Sequence, residues 1–437
     1  MPEKQQFKTG YIVNGDEKIL FFENEYRFTF LRIENNFTKI NSIDDFIFGK
    51  LHDSGMIAIS CNLSSIQMST KKELQAWSYV TSKEINIKEN PYFDMIEFRG
   101  GSLNKLFVPS ALEVEHKGVE CNCKYNQDSC IYQVTINDEM YEIEIGSCIS
   151  EYMGIERRGI KNEGIYLRIK FEKMKPIKEA YFHYQKIKEL LAFMTYRENV
   201  GFDEILLYQG NTFKQMRKMV LCINETYEVS KKDVIHNINF HDLNNRISPL
   251  LKLLYESSDK KVSYSFGFFP RNESDVNRIT SDKIRAICSA LECEISLVDG
   301  IKVEEDENLK RLIKQVKEVI SSHKKSEDPL QDKTYSQIYR NIQHWTMSAG
   351  EKIFCLYQEY ENELSNICGN KERIEKKDIE EFVKYRNDIT HGSYRQLTLK
   401  IANTAYVMSA LVYCCILKRI GFNNQEILIF CKDKLLR

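Results

Sequence analysis

Proline and glycine are scarce in this chain, 7 and 19 of 437 residues, and no internal repeat or low-complexity tract is present. Collagenous, linker-dominated and disordered classes are excluded on that ground. An excess of charge of either sign is also missing, because 62 basic side chains face 63 acidic ones. A protein that coats nucleic acid through bulk charge is therefore not indicated. No run approaches the roughly 18 apolar residues that a membrane span requires. The longest candidate, around residues 405–420, is broken by Ser409 and by Lys418-Arg419, with Asn403 just before it. The first seven residues are polar and carry no apolar signal-peptide core. Neither G-x-x-x-x-G-K nor G-x-G-x-x-G occurs, so nucleotide hydrolysis and dinucleotide redox chemistry have no support.

What is present is ample core material, 42% hydrophobic and 11% aromatic residues, enough for two or three folded domains. The 13 cysteines are odd in number and scattered, with a vicinal pair, Cys414-Cys415, inside a helical pattern. That usage suits a reducing cytoplasm rather than a disulfide framework. His116, Cys121, Cys123 and Cys130 have a composition that zinc would accept. Their spacing matches no standard knuckle, and ordinary thiols are the preferred reading.

Two halves differ in period. From residue 11 to about 171, apolar residues alternate or form short β-branched and aromatic runs, at 18–23, 27–33, 56–63, 131–136, 141–145 and 165–171. Turn signals such as Asn14-Gly15-Asp16 and Asp53-Ser54-Gly55 separate them, predicting an antiparallel sandwich or barrel-like module. Tyr181, Tyr184, Ile187, Leu190, Leu191 and Met194 then form a helix stripe that closes it, followed by a strand at 205–208. Beyond residue 240 the period is helical, at 247–255, 284–298, 309–320, 353–367, 379–385 and 397–420, with polar stretches at 257–261 and 323–333 read as loops. The fold class is α+β: an N-terminal antiparallel β-rich domain closed by a helix, residues 1–235, and a C-terminal all-α bundle, residues 236–437.

Tyr385-Arg386-Asn387-Asp388-Ile389-Thr390-His391-Gly392 crowds a permanent cation, an amide and an imidazole into six residues. On a helix, Asn387 and His391 share a face and Arg386 lies about 100° from Asn387. Arg386 could hold a phosphate bidentately, Asn387 could orient it or fix the imidazole, and His391 could move a proton. With no carboxylate cluster or metal-ligand set beside them, metal-independent phosphodiester cleavage is the natural chemistry, and no cofactor is expected. The competing reading is structural: helix-end hydrogen bonds, or an ion pair with Asp388. Tyr394, read as one helical turn beyond His391, is expected to pack rather than to stack a base. His323, Lys324, Lys325, Arg395 and Lys400 are candidates to line an RNA path.

The segment Arg386-Asn387-Asp388-Ile389-Thr390-His391-Gly392, preceded by an amphipathic helix and followed by a long apolar one, resembles the R-N-x-x-x-H form of the HEPN ribonuclease signature. More particularly it resembles the HEPN domain of the ApeA family of bacterial anti-phage proteins, in which a β-rich N-terminal domain closed by a helix precedes the bundle. Leu51-His52-Asp53-Ser54-Gly55, residues 184–200 and Asp203-Glu204-Ile205 are similar to that outline. The resemblance implies an endoribonuclease with Arg386, Asn387 and His391 as catalytic residues, and an acidic residue of an early helix beside them. Glu292 is the candidate; the following Cys293-Glu294-Ile295 departs from the aromatic and basic residues often found there, and a solvated helix-face carboxylate is the alternative.

The implied reaction is attack of the substrate's own 2′-hydroxyl on phosphorus, leaving 2′,3′-cyclic phosphate and 5′-hydroxyl ends. One Arg and one His per chain favour a homodimer that pools two copies. The implied partners are RNA, such as tRNA or mRNA, a second copy of the chain and a phage-derived activator, with no membrane. The alternatives are a non-catalytic HEPN module that binds RNA or protein, and a HEPN toxin neutralised by a separate antitoxin.

Overall fold

The computed structural model describes residues 8–14, 17–31, 46–60, 65–67, 71–107, 112–117, 120–125, 129–153, 158–210, 216–229, 238–260, 266–276, 278–297, 307–343, 348–365 and 373–435. The chain divides into two compact units, Met1–Glu256 with Arg271–Glu273, and Ser257–Pro270 with Ser274–Arg437.

The first unit begins with β1 (Lys8–Asn14), β2 (Glu17–Asn24), β3 (Arg27–Leu31), β4 (Phe46–Leu51), β5 (Met56–Ser60), β6 (Ser65–Gln67), β7 (Lys71–Gln75) and β8 (Ser78–Ser82). It continues through β9 (Tyr92–Arg99), β10 (Leu112–Lys117), β11 (Glu120–Tyr125), β12 (Ser129–Ile136), β13 (Glu139–Met153) and β14 (Arg158–Pro176). Helix α1 (Ala180–Thr195), β15 (Glu204–Gln209), β16 (Arg217–Ile223), α2 (Phe240–Leu243) and α3 (Ile247–Lys260) follow. Except for the separate β10–β11 pair, the strands join one antiparallel sheet in the order β12-β13-β14-β9-β15-β16-β8-β5-β4-β1-β2-β3-β7-β6.

That sheet is strongly curled at one end. β3 and β8 stand five strand positions apart, about 24 Å in a flat sheet at the usual spacing. The rings of Phe28 on β3 and Tyr79 on β8 nevertheless meet edge to face at 5.4 Å. Ile12, Ile19, Phe21, Phe30, Ile57 and Ile59 fill the space enclosed, so burial of the alternating apolar faces drives the curl. At the other end α1 lies on the sheet with Tyr184, Ile187, Leu190 and Leu191 buried. Its His183 ring sits 4.6 Å from Phe171 and 6.2 Å from Phe93.

The second unit is helical: α4 (Ser281–Leu297), α5 (Glu307–His323), α6 (Asp332–Gln343), α7 (Ala349–Glu359), α8 (Glu361–Leu364), α9 (Lys376–Thr390), α10 (Leu399–Arg419) and α11 (Asn424–Phe430). α10 packs on α4 and α9, and α7 packs on α4 and α9, which makes a four-helix core. Ile287, Leu291, Ile353, Leu356, Phe382, Leu411 and Val412 are buried there. α5 and α6 share a small cluster of their own around Ile320, Tyr335 and Ile342. Among the described residues α10 is the one helix long and apolar enough to cross a membrane, with 72% of its apolar window buried inside the fold.

Several expectations from periodicity are corrected. β13 and β14, of 15 and 19 residues, run well past 141–145 and 165–171. Their mutual pairing carries the strands into polar sequence, through a register shift at Ser150/Glu151. Residues 257–260 continue α3 rather than forming a loop, and the polar α6 replaces irregular chain from Asp332 onward. The stripe read at 353–367 is two helices, because Tyr360 leaves helical geometry at φ −117° and ψ 16° while its buried ring keeps the apolar stripe continuous.

Candidate active site on helix α9

α9 buries Ile379, Phe382, Val383 and Tyr385 against the core, the spacing of an amphipathic helix. The Tyr385 hydroxyl is 2.9 Å from the Ser281 hydroxyl at the start of α4. Arg386 stands three and four residues after Val383 and Phe382, so its side chain is directed toward α4 and keeps 23% exposure. There its guanidinium pairs with Glu292 Oε1, while its buried Nε makes no hydrogen bond. Glu292 itself is 47% exposed. Of the four residues singled out by sequence, Arg386 and Glu292 are thus brought together across two helices. Asp388, the alternative partner of Arg386, is instead bound to Arg395 Nη1 at 2.9 Å.

Asn387 and His391 are exposed at the end of the helix. The helix stops at Thr390 because Gly392 takes φ +78°, a left-handed conformation natural to glycine. Two bonds close this end: Ser393 N–H donates to Asp388 C=O at 2.9 Å, and Gly392 N–H to Ile389 C=O at 3.4 Å. His391 N–H donates to Asn387 C=O at 3.0 Å. The imidazole is therefore carried on a fixed helix terminus, one turn beyond Asn387.

Tyr394 is not one helical turn further, as the period had suggested. It follows the left-handed glycine, and its side chain is 96% exposed, so the packing role expected for it is overturned. Lys400 pairs with Asp378 at 2.6 Å and Lys324 with Asp332 at 2.8 Å, while the His323 ring meets the Tyr335 hydroxyl at 2.8 Å.

Two contributors were missed by sequence reasoning. Arg285 Nη2 donates to Ile389 C=O at 2.7 Å, holding the last turn of α9, and Arg285 Nη1 bonds Asp282 at 2.7 Å. Cys288 lies beside Arg386; burial pushes its thiol up to about 11 against the opposing effect of that guanidinium, so it is a protonated neighbour rather than a nucleophile. The spacing of Arg285, Cys288 and Glu292 by three and four residues was the available signal, since it puts all three on one face of α4.

Of the zinc candidates, the backbone register sets His116 opposite Cys121 and Cys123 opposite Val114. The side chains of His116, Cys121 and Cys123 lie outside the described residues, and Cys130 belongs to β12 of the large sheet. Among the described residues no group of three or more metal-ligating side chains is assembled.

Searches of curated proteins and of solved structures return no significant match. A scan against family models does: residues 286–426 match the family described as Apea-like HEPN. The matched stretch runs from within α4 to the first residues of α11 and contains Glu292, Arg386, Asn387 and His391. Over residues 286–426 the C-terminal region of this chain is similar to the Apea-like HEPN family.

Proposed function

We propose that the protein is an endoribonuclease of a bacterial anti-phage, abortive-infection system that works without a metal ion. The observation that carries this reading is the placement, inside the Apea-like HEPN match, of Arg386 against Glu292 with Asn387 and His391 open at the same helix end. The Arg386 guanidinium offers donors to the nonbridging phosphate oxygens as charge builds there. Glu292 holds it in place as a positioning residue, and Asn387 orients the phosphate or the imidazole.

In the reaction the 2′-oxygen bonds to phosphorus as its proton passes to a base, the P–O5′ bond breaks, and O5′ takes up a proton. The His391 imidazole is the proton carrier. A homodimer supplies a second imidazole, so that one accepts and the other donates. Products are a 2′,3′-cyclic phosphate and a 5′-hydroxyl, and DNA is inert for lack of the 2′-hydroxyl.

Residues 236–437 form the nuclease domain in this reading, and residues 1–235 sense the infection cue in the cytoplasm and restrain the nuclease. In favour of the sensing role is a pocket of about 840 Å³ in the β-rich unit, whose wall carries Lys8, His52, Lys83 and Lys218 together with Asp53 and Glu84.

The test is purified protein with RNA in EDTA, together with phage challenge of cells expressing wild type, Arg386→Ala or His391→Ala. Cyclic-phosphate ends that drop by roughly 10²- to 10⁴-fold in the His391 variant are expected. Equal cleavage and equal protection by all three proteins would overturn the assignment, and binding without products would make this a non-catalytic HEPN module.

A further inference from the structure

The ring of Tyr394 is held out in solvent at 96% exposure, immediately beyond the helix end that carries His391. It is not on a loose tip. The turn beneath it is tied on both sides, by the Ser393 N–H to Asp388 C=O bond at 2.9 Å and by the Arg395 to Asp388 ion pair at 2.9 Å. An aromatic ring that the fold presents without packing it has a free π-face on offer, and every unpaired nucleobase can stack on such a face.

The nearest cations along the chain are already paired, Arg395 with Asp388 and Lys400 with Asp378, so the ring itself is what this turn offers. The residues flanking it in sequence, Thr390, His391, Ser393 and Gln396, are exposed and polar. Tyr394 follows His391 by three residues, a reach of at most about 10 Å, close enough for the base of a nucleotide neighbouring the one at His391. Bases inside an A-form duplex keep their faces stacked and show only edges, so such a platform accepts only unpaired nucleotides.

We infer that Tyr394 is a base-stacking residue beside the cleavage point, where it positions an unpaired nucleotide next to the one at His391. This rests on the ribonuclease reading for the words cleavage point, but stacking itself can be measured without cleavage. Leu399, 77% exposed nearby, is what a second copy of the chain would use instead, so assembly is measured in the same experiment.

The full-length protein bearing His391→Ala is titrated, at fixed salt, into RNA oligonucleotides carrying 2-aminopurine either in a single strand or within a duplex. Quenching is expected for the single strand alone. It should persist in Tyr394→Phe and vanish in Tyr394→Ala, with affinity about tenfold weaker or more, and with elution volume and melting temperature unchanged. Equal quenching and affinity in the alanine variant overturn the inference. A shift of Tyr394→Ala from dimer to monomer overturns it in favour of an interface between copies. If the protein without the His391 substitution cuts RNA but no quenching is seen, stacking falls and the ribonuclease reading stands. Quenching without cleavage by that same protein leaves stacking in place and removes the ribonuclease reading.

Discussion

Glu97 in the β-rich unit and Glu292 in the helical unit each meet arginine, and they do so in opposite ways. In the β-rich unit Glu97 of β9 is buried to 1% exposure, and Arg99 and Arg168 both bond it, with Nε distances of 2.5 and 2.7 Å. Those arginines are themselves occupied further, Arg99 by Glu204 at 3.3 Å and Arg168 by Glu144 at 2.7 Å. Such a network, with its charges neutralised and its donors spoken for, fixes the register of β13, β14, β9 and β15 and has nothing left for a ligand. In the helical unit Arg386 has one half-exposed carboxylate and a buried Nε that bonds nothing. The Glu97 network is enclosed and its arginine donors are occupied, whereas Arg386 keeps 23% exposure and meets one half-exposed carboxylate, so the exposed end of its guanidinium is the part a phosphate would meet.

The contrast predicts different responses to removing each carboxylate. Glu97→Ala should cost about 3–5 kcal/mol, because it leaves two guanidinium groups without their shared buried partner. Chemical denaturation of the full chain reads this out, and a midpoint within error of wild type would break the comparison. Glu292→Gln should leave denaturation nearly unchanged, since a half-exposed ion pair contributes little to stability. RNA cleavage should nonetheless slow by roughly tenfold, mainly in kcat rather than KM, as Arg386 loses its charged anchor. Unchanged kinetics would return Glu292 to the solvated helix-face reading.

A smaller effect concerns the two histidines. His183 in α1 is sealed among Phe93, Tyr141, Phe171 and Tyr255, its Nδ1 3.0 Å from the Tyr255 hydroxyl, and burial, aided by the Lys175 charge, pushes its imidazole down to about 3. With the folded value below the unfolded one of about 6.5, its contribution is complete above pH 6.5 and is lost as pH falls from there toward 3. Stability of the wild type measured between pH 7 and 4 should therefore decline, and His183→Gln should flatten that slope whichever way absolute stability moves. An identical slope in the variant would show that His183 does not titrate across folding.

Legibility followed the range of the interactions. The stripe Ile379, Phe382, Val383 is local, so the body of α9 is legible from order alone, whereas its stop before Gly392 is not, because the helical period carries on to Tyr394. α6 was missed because Asp332–Gln343 is mostly polar and buries little beyond Tyr335 and Ile342. The ends of β13 and β14 were missed because cross-strand pairing, not alternation, sustains them.

The sequence by itself determined which residue types stand at the end of α9, their order along the helix and the change from a β-rich to a helical half. Only the tertiary structure decided that Glu292 meets Arg386, that Asp388 turns to Arg395 and that Tyr394 stands in solvent. Helix periodicity fixes a side chain's direction about its own axis, whereas the partner it finds depends on how α4 and α9 pack, which is set by burial summed over the whole bundle.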